Sequence, residues 1–215
     1  MENNLKKYTW GLELEEMSTA EKKVHSPVEN NSSEDFNKVE SVGNKIFFYS
    51  SVNRPKILAL NKMISNLNIN LRSRALTYGS NSIDPIKIHI NSYGGSVFAG
   101  LAAVDYILTS KAPVETIIDG CAASAATLMS MVGAHRCMHK NSFMLIHQLS
   151  GHMWGKYQEM QDDMQNSDML MEKIKKLYMT HAKIPSKQLD NILKHDLWWD
   201  AETCLKYGLV DEIIE

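Results

Sequence analysis

From about Lys45 onward, apolar residues recur with two alternating periods, and the period at each point predicts the element. Ile46-Phe47-Phe48-Tyr49 is a short apolar run that reads as a strand. Asn53 followed by Pro55 signals a helix start, and Ile57, Leu60, Ile64 and Leu67 then fall on one helical face. Leu71 to Asp84 is polar and reads as a loop. Ile86-Lys87-Ile88-His89-Ile90 alternates with period two, as a strand with two unlike faces does. The turn at Asn91–Ser96 leads into Val97, Leu101, Val104 and Leu108 at helical spacing. Pro113–Ile118 reads as a strand broken by Gly120, and Ala122–Val132 as an alanine-rich helix. Cys137-Met138 and Phe143–Ile146 are short strands. After Gly155 a long helix places Tyr157, Met160, Met164, Met171, Ile174 and Tyr178 on one stripe, and Leu209–Ile214 is a last strand. Strands alternating with helices predict an α/β fold with a largely parallel sheet.

Residues 1–44 follow neither period. They hold nine acidic residues and five lysines, with few large apolar side chains after Met17. Such a stretch buries too little surface to offset its ordering entropy. A polar arm over 1–44 is expected, with a short amphipathic piece around Tyr8–Met17, and a folded domain over 45–215.

Composition narrows the classes. At 215 residues with 44% apolar side chains, one well-buried core fits and two enzyme domains do not. The net charge of −2, with both signs interspersed, gives no nucleic-acid footprint. Cys121, Cys137 and Cys204 form no CxxC pair and read as reduced thiols. With no signal-peptide pattern and no apolar run long enough for a bilayer, a soluble cytoplasmic protein without membrane attachment is expected.

Three junctions carry unusual residues, at strand ends where open α/β folds place ligands. Tyr93-Gly94-Gly95-Ser96 could bring backbone N–H groups close to a ligand, but a plain tight turn is as good a reading. Ser124, within Gly120-Cys121-Ala122-Ala123-Ser124-Ala125-Ala126, sits where a serine usually caps a helix. Its small neighbours, however, leave room for a substrate to reach the hydroxyl. His147 ends an apolar strand, where a core histidine is the commoner outcome. Asp196 precedes Leu197-Trp198-Trp199, which could wall it in apolar surface, although an ordinary loop carboxylate is commoner. These are the residue types of a nucleophile, a base and an orienting carboxylate. Composition and spacing alone do not single them out from the alternatives.

At these same positions the chain resembles the ClpP family of self-compartmentalised serine proteases. Ile90-Asn91-Ser92-Tyr93-Gly94-Gly95 is similar to the family's Ile-Asn-Ser-Pro-Gly-Gly segment, Gly120–Ser124 to its nucleophile segment, and Met144–Gln148 to its histidine segment. Asp196, five residues before Ala201, stands where the family keeps its aspartate, and Tyr207–Asp211 matches its closing strand. The chain order Ser, His, Asp differs from the Ser, Asp, His of α/β-hydrolases. The resemblance implies Ser124 as nucleophile, His147 as general base and acid, and Asp196 as its partner. It implies an oxyanion hole from the Gly95 and Ala125 N–H groups. Gly95, Ser96 and Val97 on one side, and Ser150, Gly151 and His152 on the other, would flank an extended peptide. It further implies a crotonase-like spiral of ββα units with a protruding helical handle. The expected assembly is a homo-oligomer, a heptameric ring or a stacked double ring, fed unfolded polypeptides by an AAA+ unfoldase. Neither cofactor nor metal is implied.

The chain departs from the family pattern at Tyr93 and Leu149, where prolines are usual, at His152, where a glycine is usual, and at His195, where an arginine is usual. In the family the last two positions lie at ring contacts, so the resemblance implies that these departures bear on double-ring assembly. Trp198-Trp199 and the overall flavour look like phage- and virus-encoded members, among which capsid maturation is an alternative role. A crotonase-fold acyl-CoA enzyme is the rival from another class.

Overall fold

The structure is a computed structural model that describes residues 39–215. The amphipathic piece expected around Tyr8–Met17 lies outside the described residues.

An antiparallel hairpin opens the described chain. Strands β1 (Val39–Val42) and β2 (Lys45–Phe48) pair through a two-residue turn at Gly43, whose φ of +63° suits a residue without Cβ. β1 lies inside the stretch assigned to the polar arm, so the boundary near Lys45 is too late. Its single buried residue, Val39, was too little apolar signal to mark a strand.

Helix α1 (Arg54–Thr77) starts as expected, with the Asn53 side chain accepting from the Lys56 N–H. It runs through Leu71–Thr77, which the sequence suggested was loop. Leu71 is buried and extends the stripe of Leu60 and Ile64 by one more turn, which holds the helix against the core. The Asn68 side chain also accepts from the Ala112 N–H at 2.7 Å.

Strands β3 (Ile86–Ser92), β4 (Val114–Ala123) and β5 (His135–His139) follow β2 in parallel, and β8 (Glu212–Ile214) pairs with β5 in parallel. Helix α2 (Val97–Leu108) links β3 to β4. On β3 the isoleucines at 86, 88 and 90 are fully buried, while Lys87 and His89 face the other way.

Gly120 does not break β4; it bends it. With φ at +83° it marks the point where β4 leaves β5, paired as far as Ile118, and joins β6 (Phe143–Leu145) from Cys121 onward. The buried Ser142 hydroxyl secures the bend, accepting from the Gly120 N–H and donating to the Ile118 carbonyl. The alanine-rich helix is accordingly shorter than expected. Ala122 and Ala123 complete the strand, and α3 covers Ala125–Ser130.

Helix α4 (Tyr157–His181) buries only Ile174 and Tyr178 fully, near its C-terminal end. From Tyr157 to Lys173 no side chain is buried, and Trp154 just before it is 97% exposed. Helix α5 (Ser186–Leu193), the two-residue strand β7 (Trp198–Trp199), antiparallel to β6, and helix α6 (Ala201–Lys206) complete the chain before β8. Among the described residues no helix is long and apolar enough to cross a membrane.

Candidate active site

Three adjacent strands bring the candidate residues together. Ala123 on β4 pairs with Leu145 on β6, and the Ser124 N–H extends that ladder to the Leu145 carbonyl at 2.9 Å. Leu145 pairs in turn with Trp198 on β7 in antiparallel register. Continued two residues past each strand, that register sets His147 opposite Asp196. His147 Nδ1 indeed lies 3.1 Å from Asp196 Oδ1.

Ser124 sits at a strained corner. Its φ of +54° and ψ of −126° are rare for a side-chain-bearing residue, and among the described residues it is the one non-glycine with positive φ. Its carbonyl accepts from the Thr127 N–H and the Thr127 hydroxyl, which pins the turn. The Thr127 hydroxyl also meets the phenol of Tyr178 at 2.6 Å, and burial pushes that phenol's pKa well above the ordinary tyrosine value. The Ser124 side chain makes no cap bond, so the ordinary helix-cap role does not apply.

Gly94 and Gly95 pass directly beside this corner. A Cβ on Gly94 would lie 2.6 Å from the Ala123 carbonyl oxygen and 2.7 Å from Ser124 Cβ. A Cβ on Gly95 would lie 2.4 Å from the Val52 carbonyl oxygen. Val52 bonds to the residues either side of Gly95, donating to the Gly94 carbonyl and accepting from the Ser96 N–H. Gly95 therefore turns its own N–H away from Val52. Ala125 is the first residue of α3, whose N–H has no intrahelical acceptor. Gly95 and Ala125 both lie on the cavity that Ser124 lines.

Gly95, Val97, Ser124, Ala125, His147 and Ser150 line a small cavity of about 40 Å³, together with the buried side chains of Leu128, Ile174 and Tyr178 as its floor. An open groove continues from it between Tyr93, Ala123, Leu145, Asp196 and Trp198. The rings of Tyr93 and Trp198 meet edge to face at 6.2 Å between centroids. His147 and Ser124 line both spaces, but among the described residues no hydrogen bond joins the Ser124 hydroxyl to the His147 ring.

Other expected residues fall elsewhere. Ser96 is buried, with its N–H bonded to Val52, its carbonyl to Gly100, and its hydroxyl capping α2 at the Ala99 N–H. Gly151 and His152 are exposed and do not line the cavity. The apolar wall expected around Asp196 is absent: its side chain is 76% exposed, and Leu197 and Trp198 are exposed beside it. Sequence reading missed the cavity floor, although Ile174 and Tyr178 stood on the stripe of α4 as ordinary core positions.

The model of the family described as Clp protease matches residues 41–215. The chain belongs to the Clp protease family. It is 39% identical over 134 residues to an ATP-dependent Clp protease proteolytic subunit of Streptococcus mutans, covering 60% of this chain and 68% of that protein. A protein of the same description from Deinococcus radiodurans is 33% identical over 132 residues, or 60% of this chain and 65% of that protein. Among solved structures, a point mutant of ClpP1 from Listeria monocytogenes superposes with a TM-score of 0.68 at 26% identity. That match covers 80% of this chain and 91% of the other. The fold is that of ClpP, and the chain is a ClpP-type serine protease. Family membership decides against the acyl-CoA reading of the same fold.

Proposed function

We propose that this Clp protease cuts unfolded polypeptides with Ser124 as nucleophile, His147 as general base and acid, and Asp196 as the carboxylate that orients the imidazole. One observation carries the reading: β4, β6 and β7 lie side by side in a register that sets Ser124 next to β6 and His147 opposite Asp196.

An extended peptide would lie between Gly95–Val97 and Ser150, with the side chain before the scissile bond in the cavity floored by Leu128, Ile174 and Tyr178. That floor favours an apolar side chain. His147 takes the Ser124 proton as Oγ attacks the carbonyl carbon, and the Gly95 and Ala125 N–H groups receive the oxyanion. The imidazolium then passes its proton to the leaving amine. Water, deprotonated by the same ring, releases the acyl group and restores Ser124. The missing bond between Ser124 and His147 must form for the first transfer, and catalytic contacts of this kind tighten when substrate is bound.

Assembly into a ring is part of the proposal. Met153, Trp154, Tyr157, Met160 and Met164 are all exposed at the start of α4, more apolar surface than an isolated chain commonly leaves to water. The ATP-dependent relatives point to an AAA+ unfoldase as the partner that delivers substrate. Cleavage of fluorogenic peptides and of an unfolded protein, by the wild type and by Ser124→Ala, tests the reading alongside light scattering. Wild-type cleavage in an oligomer, lost in an intact Ser124→Ala oligomer, is expected. Full activity in a monomer would overturn the ring, and activity in Ser124→Ala would overturn the nucleophile.

A further inference from the structure

The sheet has an outer face that the helices leave partly open. On β3, β4 and β5 the buried residues Ile88, Ile118 and Met138 point inward, while Lys87, Glu115, His135 and Cys137 share the opposite face. Parallel strands are usually apolar on both faces, and this outer face is not.

At its edge three metal-ligand side chains converge. His135 and Cys137 are two apart on β5 and so point the same way, and Cys137 is the register partner of Glu212 on β8. One donor atom from each of the three lies within 4.8 Å of the others. His135 Nε2 is 2.9 Å from Glu212 Oε2, and Cys137 Sγ is 4.0 Å from the same oxygen. Donors around tetrahedral zinc stand about 3.3–3.8 Å apart, given bond lengths of about 2.0–2.3 Å. Shifts well under the reach of one side-chain rotation would close the site.

Charge and access also suit a cation. Glu115 is paired with Lys87 at 3.1 Å and Asp211 with Arg136, whereas among the described residues Glu212 has only the histidine as a charged partner. The His135 and Glu212 side chains are 43% and 55% exposed, which opens a path from solvent, while the thiol sits beneath them.

We propose that His135, Cys137 and Glu212 bind one zinc-type divalent ion, with a fourth position open to water, as a clip between β5 and the edge strand β8. Imidazole, thiolate and carboxylate are zinc's donor set, and thiolate selects against magnesium and calcium. The ion stands apart from peptide hydrolysis and holds the end of the sheet.

The test uses the full chain, stripped with chelator and titrated with Zn(II) and with Co(II). Expected are one ion per chain, a thiolate-to-cobalt charge-transfer band, and a melting temperature that rises with zinc. His135→Ala and Glu212→Gln, at exposed positions that do not threaten folding, should each weaken binding about tenfold or more. Cys137→Ser should lose the band, and Cys121→Ser should keep it. Absence of stoichiometric binding would overturn the site. So would a band that survives Cys137→Ser, or affinity unchanged in both His135→Ala and Glu212→Gln.

Discussion

Gly94 and Ser124 are packed so closely that a single added methyl group on Gly94 would come within 2.7 Å of Ser124 Cβ. The φ of +95° at Gly94 adds backbone strain to the clash. Gly94→Ala should therefore displace the Ser124 corner while leaving the sheet intact. A loss in kcat/KM of about 100-fold or more is expected, since misplacement by about 1 Å costs that much. Peptidase kinetics with circular dichroism on the same sample checks it.

In the proposed triad Asp196 acts through His147, whose Nδ1 lies 3.1 Å from Asp196 Oδ1. Asp196→Asn keeps the shape and removes the carboxylate that favours the productive tautomer. In a buried triad that change costs about 10⁴ in kcat. With 76% of this side chain exposed, water screens the interaction, and a loss of about 10²–10⁴ is expected. It should appear in kcat with KM little changed, which steady-state kinetics separates.

The fold was legible where apolar period and chain punctuation agreed, and hidden where tertiary pairing decided. Asn53 and Pro55 marked the start of α1, but nothing local showed that Leu71 would be buried and carry the helix on to Thr77. Gly120 looked like a strand breaker because a bend between two strand partners leaves the same local signature as an end. The pairing of β6 with the two-residue β7 could not be read from Trp198-Trp199, yet that register is what faces His147 toward Asp196. The candidate residues themselves came from family resemblance. Residue pattern alone favoured a capping serine, a core histidine and an ordinary loop carboxylate. Ser96 shows the limit of carrying a segment over whole, for its polar groups are spent on Val52, Gly100 and Ala99.

Tyr93 and Trp198 form an aromatic pair on the open groove. Tyr93→Ala and Trp198→Ala should each raise KM for extended peptides with apolar residues on that side by about tenfold. That corresponds to about 1.4 kcal/mol of lost contact. Turnover of a minimal substrate that does not reach the pair should hold. Kinetics on a peptide length series distinguishes the two effects.

Arg136 ties three segments together. Its guanidinium donates to the His181 and Gly208 carbonyls at 2.5 and 2.9 Å and to both oxygens of Asp211. Arg136→Met should destabilise the fold by about 2–4 kcal/mol, because the partners stay behind unsatisfied. The Arg136 hydrogen bonds hold the Asp211 carboxyl below the usual carboxylate range. A lowered folded-state pKa adds stability above the unfolded value of about 3.9, and that stability is lost as pH falls through the folded value. The gap in melting temperature between wild type and Arg136→Met should thus be full at neutral pH and shrink below about pH 4.

The nucleophile assignment is tested most directly by labelling the purified protein with a fluorophosphonate and locating the adduct by mass spectrometry. Ser124 should carry the label, prior labelling should abolish peptide cleavage, and Ser124→Ala should take up none. An adduct on Ser92, Ser96 or Ser150 in place of Ser124, or peptide cleavage that persists in Ser124→Ala, would contradict it.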